Sequence, residues 1–131
     1  MAGSSNKFLK PLLITQGIYY LLTALWGIVD IDSFMDVTGP KNDVWLVKTV
    51  SVLIIPISLC LLSFLYVKSD IRPAIILGIT STAGLAIVDF YYSLRDVISH
   101  VYTVDGAVQA LLCIGWIVIL VQEKPNNKKI E

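Results

Sequence analysis

Charged side chains are scarce in this sequence: Asp, Glu, Lys and Arg make up 15% of its 131 residues, against about 25% in an ordinary soluble chain. That shortage argues against a soluble domain, whose hydrated surface needs more charge. Histidine occurs once, as His100, and lies beside Arg95 and Asp96, which gives neither a metal-ligand set nor a catalytic triad. No metal site and no cofactor is expected. The two cysteines, Cys60 and Cys113, both sit inside apolar stretches rather than in loops where an oxidising compartment could pair them, and they read as small hydrophobes. The formal net charge is zero, so no overall field steers polyanions to the chain and nucleic acid is not an expected partner. Internal repeats and low-complexity tracts are absent as well.

What the sequence has in abundance is apolar length. Hydrophobic residues make up 56% of it, and its mean hydropathy is +0.75. A helix rises about 1.5 Å per residue and the hydrocarbon core is about 30 Å thick, so roughly 20 mostly apolar residues are needed to cross it. Four such runs are present, at about 8–29, 44–67, 73–92 and 101–121. They leave no room for a soluble catalytic or nucleotide-binding domain. The first run exceeds the usual apolar core of a signal peptide and reads as a retained span. The expected fold is all-α: a single-domain, up-down-up-down four-helix transmembrane bundle, with residues 122–131 as a short solvated tail.

The connections carry their own signals. Residues 30–42 read as a polar link broken by Gly39-Pro40. Asp43 is placed to cap the second span through its carboxylate. The turn from Lys68 to Arg72 is short enough to make spans two and three antiparallel neighbours, with Asp70 as a cap and Pro73 in the first helical turn. Pro56 predicts a kink in span two. With four spans, both termini and the 68–72 turn share one face with Lys7, Lys10, Lys68, Arg72, Lys124, Lys128 and Lys129, leaving Lys41, Lys48 and Arg95 on the other. Basic residues accumulate on the cytoplasmic side of membrane proteins, so both termini are expected in the cytoplasm.

The stretch from Ser33 to Val50, which contains Val-Thr-Gly-Pro-Lys followed by Asp43 and Trp-Leu-Val-Lys-Thr-Val, resembles a segment preceding the second span in small bacterial four-span membrane proteins. Span count and size are also similar to the DoxX-like group. The resemblance implies a bacterial inner membrane and carries no activity to transfer.

Three ionisable residues fall inside the spans at similar depth: Lys48, Asp89 and Asp105. A charge at the middle of a spanning helix costs about 2.5–3.5 kcal/mol on insertion scales, so such groups tend to face the bundle and pair. Together with Gln109, one turn beyond Asp105, they are expected to form a polar cluster, either as a packing lock or as a site. The ridge of Ala74, Gly78, Thr82 and Ala86 at spacing four, followed by Asp89, places that carboxyl on a packing face. Gln16, Tyr20, Thr23 and Asp30 trace a polar stripe on span one, and Ser51 and Ser58 follow Lys48 on span two. An outer mouth is expected from Asp43, Trp45, Tyr92, Arg95 and His100, with Trp26, Tyr91 and Tyr102 nearby as interfacial aromatics. The aspartates at 30, 32 and 36 do not make an EF-hand, because Met35 and Lys41 stand where glycine and glutamate are required.

These features support three expectations of function. The first is a non-enzymatic accessory or interaction protein that binds a membrane-protein partner or a second copy of itself. The second is binding or passage of a small hydrophobic molecule, cation or proton at the polar cluster. The third is a membrane enzyme acting on a lipid or isoprenoid, with Asp89 or Asp105 as acid or base and Lys48 steadying an anion.

Overall fold

A computed structural model describes residues 6–123, and all regular structure among them is helical: α1 (Leu9–Val29), α2 (Ile31–Thr38), α3 (Val44–Ser63), α4 (Arg72–Ser93) and α5 (Val101–Gln122). The tail lysines Lys124, Lys128 and Lys129 lie outside the described residues. Helices α1, α3, α4 and α5 are each long and apolar enough to cross a membrane. Their 20 to 22 residues correspond to about 30–33 Å at the helical rise, which matches the hydrocarbon core. The protein is a multi-pass helical bundle whose outer faces suit lipid.

Local chemistry sets the helix ends. The Asp70 carboxylate accepts the Arg72 N–H at 3.1 Å, as expected, and Pro73 fills the opening turn of α4. Asp43 behaves differently from the sequence expectation. Its carboxylate makes no capping hydrogen bond among the described residues; its backbone carbonyl accepts the Leu46 N–H at 3.0 Å instead. Helix α3 ends at Ser63, four residues before the expected limit, and the chain leaves through tight turns in which Phe64, Leu65 and Tyr66 each donate three residues back. The helix is continuous through Pro56.

Residues 30–42 are not the plain polar link that was expected, because most of them fold into α2. Asp30 Oδ1 accepts the Ser33 N–H at 3.2 Å and so caps the helix start. Ile31, Phe34 and Thr38 recur at helical spacing. Phe34 is buried edge-on against Trp26, with ring centroids 5.3 Å apart, while Asp32 and Asp36 face outward. Gly39 ends the helix at φ 95°, a left-handed region that suits glycine.

The four spans pack as two intimate pairs, α1 on α3 and α4 on α5, with fewer close approaches between the pairs. Small residues allow the intimacy within α4 and α5. Gly78 lies flat against the Trp116 indole, and Gly106 meets Cβ of Asp89 and the Phe90 ring, in both cases where a larger side chain would intrude. The ridge expected on α4 is the one the fold uses: Ala74, Gly78, Thr82, Ala86 and Asp89 are all buried. Where α1 starts, α3 ends, α4 starts and α5 ends, a dense apolar core forms around Leu13, Leu61, Ile75, Trp116 and Ile119. Asn6 Nδ2 donates to Gln122 Oε1 at 2.5 Å and ties the first described residue to the end of α5. The opposite end, beneath α2, is packed less tightly and holds the cavity.

Candidate functional site

Because α1 and α5 approach each other less closely than the partners within each pair, long polar side chains bridge the gap. Near the apolar core, Trp116 Nε1 donates to Gln16 Oε1 at 2.5 Å, and Gln16 Nε2 donates onward to Ser81 Oγ at 3.1 Å, joining α5, α1 and α4. One turn nearer α2, the Tyr20 hydroxyl donates to Gln109 Oε1 at 2.7 Å. This fixes the amide so that Gln109 Nε2 points to Asp105 Oδ1, 3.5 Å away. The Tyr19 hydroxyl donates to that same Asp105 oxygen. Higher still, Thr103 Oγ1 donates to Ser93 Oγ at 2.9 Å between α5 and α4.

Asp89 joins this network through Asp105, whose carboxyl lies beside its own. It is 5% exposed, and its Oδ2 has no hydrogen-bond partner among the described residues. Buried polar atoms are almost always partnered, and leaving one unpartnered costs about 1–3 kcal/mol. The close approach at Gly106, next in sequence to Asp105, draws α4 in and brings the two carboxyls into one chamber.

That chamber is a cavity of about 480 Å³ between the two helix pairs. Tyr19, Asp89, Asp105 and Gln109 form its polar end. Its walls are mostly apolar, with Val47, Val50 and Ile54 from α3 and Leu85 and Val88 from α4, broken by Thr23 and Ser51, and Phe34 of α2 also lines it, together with Ile98 and Tyr102. The lining holds two carboxyls and, among the described residues, no basic side chain. The Lys41 ammonium is held outside it by Thr38 Oγ1 at 2.8 Å and Gly39 O at 3.1 Å, lying 5.1 Å from the Tyr102 ring centroid and 5.5 Å from that of Phe34. A volume of this size with a few convergent polar groups is typical of a small-molecule site.

Of the residues expected in the polar cluster, the structure brings Asp89, Asp105 and Gln109 together and leaves Lys48 out. Lys48 is exposed, because the face of α3 that lines the cavity runs through Val47, Ser51 and Ile54. The expected outer mouth is likewise not the cavity rim. Asp43, Trp45, Tyr92, Arg95 and His100 are all exposed and none of them lines the chamber. Arg95 instead covers the Tyr91 ring at 4.2 Å, and His100 Nε2 sits 3.2 Å from Asp96. Tyr102 does line the cavity, as an outer aromatic was expected to. Sequence reasoning missed Tyr19 and Phe34. Tyr19 completes the 16, 19, 20, 23 spacing of the α1 stripe, and Phe34 sits on the apolar face of a helix that was read as a link.

The arrangement can seat a polar head against carboxyl and phenol groups and an apolar body against aliphatic walls. Among the described residues, no three His, Cys, Asp or Glu side chains are grouped as metal ligands. Comparison with protein-family models, with curated proteins and with solved structures finds no match to this chain in any of the three.

Proposed function

We propose that this protein binds, without chemical conversion, a small and mostly apolar molecule whose polar head enters the chamber between the two helix pairs. The observation that carries this reading is a chamber lined by two carboxyl residues, one of which, Asp89, keeps a buried Oδ2 without a hydrogen-bond donor at its wall. A purely structural bundle gains nothing from a buried carboxyl oxygen left without a donor. A head group that draws this carboxyl toward the chamber and supplies the donor turns that cost into affinity. The accessory role expected from the apolar helix faces requires no chamber, since lipid already covers those faces. The reading places the protein in a bacterial cytoplasmic membrane, with Lys7, Lys10, Lys68 and Arg72 on the cytoplasmic face and the chamber toward the other leaflet.

The test uses the full chain in lipid nanodiscs and alkyl probes carrying a nitroxide at the chain end, read by electron paramagnetic resonance. A bound probe gives an immobilised component. Val47→Trp, which fills the chamber from α3, is expected to remove that component. An equal immobilised component in wild type and Val47→Trp would refute the reading.

A further inference from the structure

We infer that the ligand is a lipophilic ammonium dissolved in the bilayer, which reaches Asp89 sideways through the slot between α3 and α4. The inference rests on the chamber-binding reading and adds the charge of the head and the direction from which it arrives.

The head follows from the lining. Two carboxyls face the chamber with no basic side chain among the described lining residues, so a head that brings positive charge offsets them and an anionic head is repelled. Asp105 Oδ1 already accepts from Tyr19 and Gln109, whereas Asp89 Oδ2 has no donor. An ammonium brings N–H donors to this pair of carboxyls, reaching Asp89 Oδ2 once its side chain turns toward the chamber, and makes the hydrogen bonds charge-assisted. The rings of Tyr19 and Tyr20 present aromatic surface to the same chamber, which also favours a cation, while those of Phe34 and Tyr102 already carry the Lys41 ammonium. The remaining walls are mostly aliphatic, broken by Thr23 and Ser51, and suit an alkyl or other apolar body.

The route follows from which walls are closed. Intimate packing seals α1 against α3 and α4 against α5. The Tyr20 to Gln109 and Tyr19 to Asp105 hydrogen bonds close the α1 and α5 side. On the α3 and α4 side the lining residues themselves face outward: Leu46 is 44% exposed, Val50 48% and Val88 48%. These residues are apolar and belong to helices long and apolar enough to cross a membrane, so the opening they frame suits lipid rather than water. A ligand that arrives this way is one that partitions into lipid.

The experiment compares nitroxide-labelled dodecylamine, dodecanol and dodecanoate on the full chain in nanodiscs. Wild type is expected to bind the amine about tenfold or more tightly than the alcohol, and Asp89→Asn to reduce that preference to near unity. If wild type holds alcohol and amine equally, the ammonium assignment is overturned while chamber binding survives. If no probe is immobilised beyond the level in Val47→Trp, chamber binding itself fails and the ammonium assignment falls with it. The comparison of probes on wild type needs no variant, so a misfolded Asp89→Asn does not blunt it. For the route, Val50→Trp is expected to slow the growth of the immobilised amine signal about tenfold or more. An unchanged rate overturns entry between α3 and α4.

Discussion

Replacing Asp89 by leucine should make the ligand-free protein more stable. The two side chains share a shape, each a Cβ and Cγ ending in two heavy atoms, so the swap at this 5%-exposed position leaves the packing around Gly106 and Phe90 nearly unchanged. What changes is the oxygen without a donor. Removing an unsatisfied buried polar atom recovers about 1–3 kcal/mol, and two new methyl groups on an apolar wall add to the gain. Asp89→Leu is therefore expected to be more stable by about 1–3 kcal/mol, with Asp89→Asn between it and wild type, since the amide is neutral but still polar. Reversible unfolding in mixed micelles or bicelles, followed by circular dichroism without added ligand, measures the difference. A loss of stability in Asp89→Leu would show that the carboxyl holds the bundle together, and would remove the ground for treating it as a ligand acceptor. Stability gained at the expense of binding is the pattern expected of a group kept for function.

Three further outcomes follow from the geometry. Gly78→Val places side-chain atoms inside the Trp116 indole, so it should destabilise the protein by about 1–3 kcal/mol through overpacking and shift the tryptophan emission as Trp116 leaves Gln16; unchanged stability and emission would contradict the packing described. Gln109→Leu breaks the links to both Tyr20 and Asp105, and with interhelical polar contacts in membranes averaging about 0.6 kcal/mol it should cost about 1 kcal/mol, measurable in the same unfolding assay. Lys48→Gln alters an exposed side chain outside the chamber, so immobilisation of the alkylamine probe should match wild type, and a loss of tenfold or more would place Lys48 back in the site.

Depth was easier to read from the sequence than direction. Apolar run length located the four spans, because only about 20 such residues cross the hydrocarbon and few other patterns mimic that. Spacing four on α4 also gave the buried face directly, since Ala74, Gly78, Thr82 and Ala86 leave a single seam on which a neighbour can approach. Lys48 shows what depth alone misses. It lies about as deep as Asp105, but helical geometry turns each residue about 100° from the last, and with Val47, Ser51 and Ile54 lining the chamber, Lys48 falls outside it. The outer aromatics divide on the same ground, since a position near a span end does not say whether a ring faces the bundle: Tyr102 lines the chamber, whereas Trp45, Tyr91 and Tyr92 are exposed. Helix α2 was legible in principle, from the spacing of Ile31, Phe34 and Thr38 behind a capping aspartate, but Gly39-Pro40 and the three acids obscured it. The lone Asp89 oxygen could not be read from sequence, because it depends on where every neighbouring donor points.

The pairing of α1 with α3 and of α4 with α5 also bears on how the molecule is made. Each tight pair joins successive spans, so a growing polypeptide holds both members of one hairpin before the next is translated, and the contacts that close it need little search along the chain. Gln16, Tyr19 and Tyr20 then wait in the nascent hairpin for acceptors or donors that are translated nearly a hundred residues later. Assembly of the halves is thus the moment at which these groups leave whatever temporary partners they hold, and a chain stalled before α5 would present its polar stripe to membrane quality control.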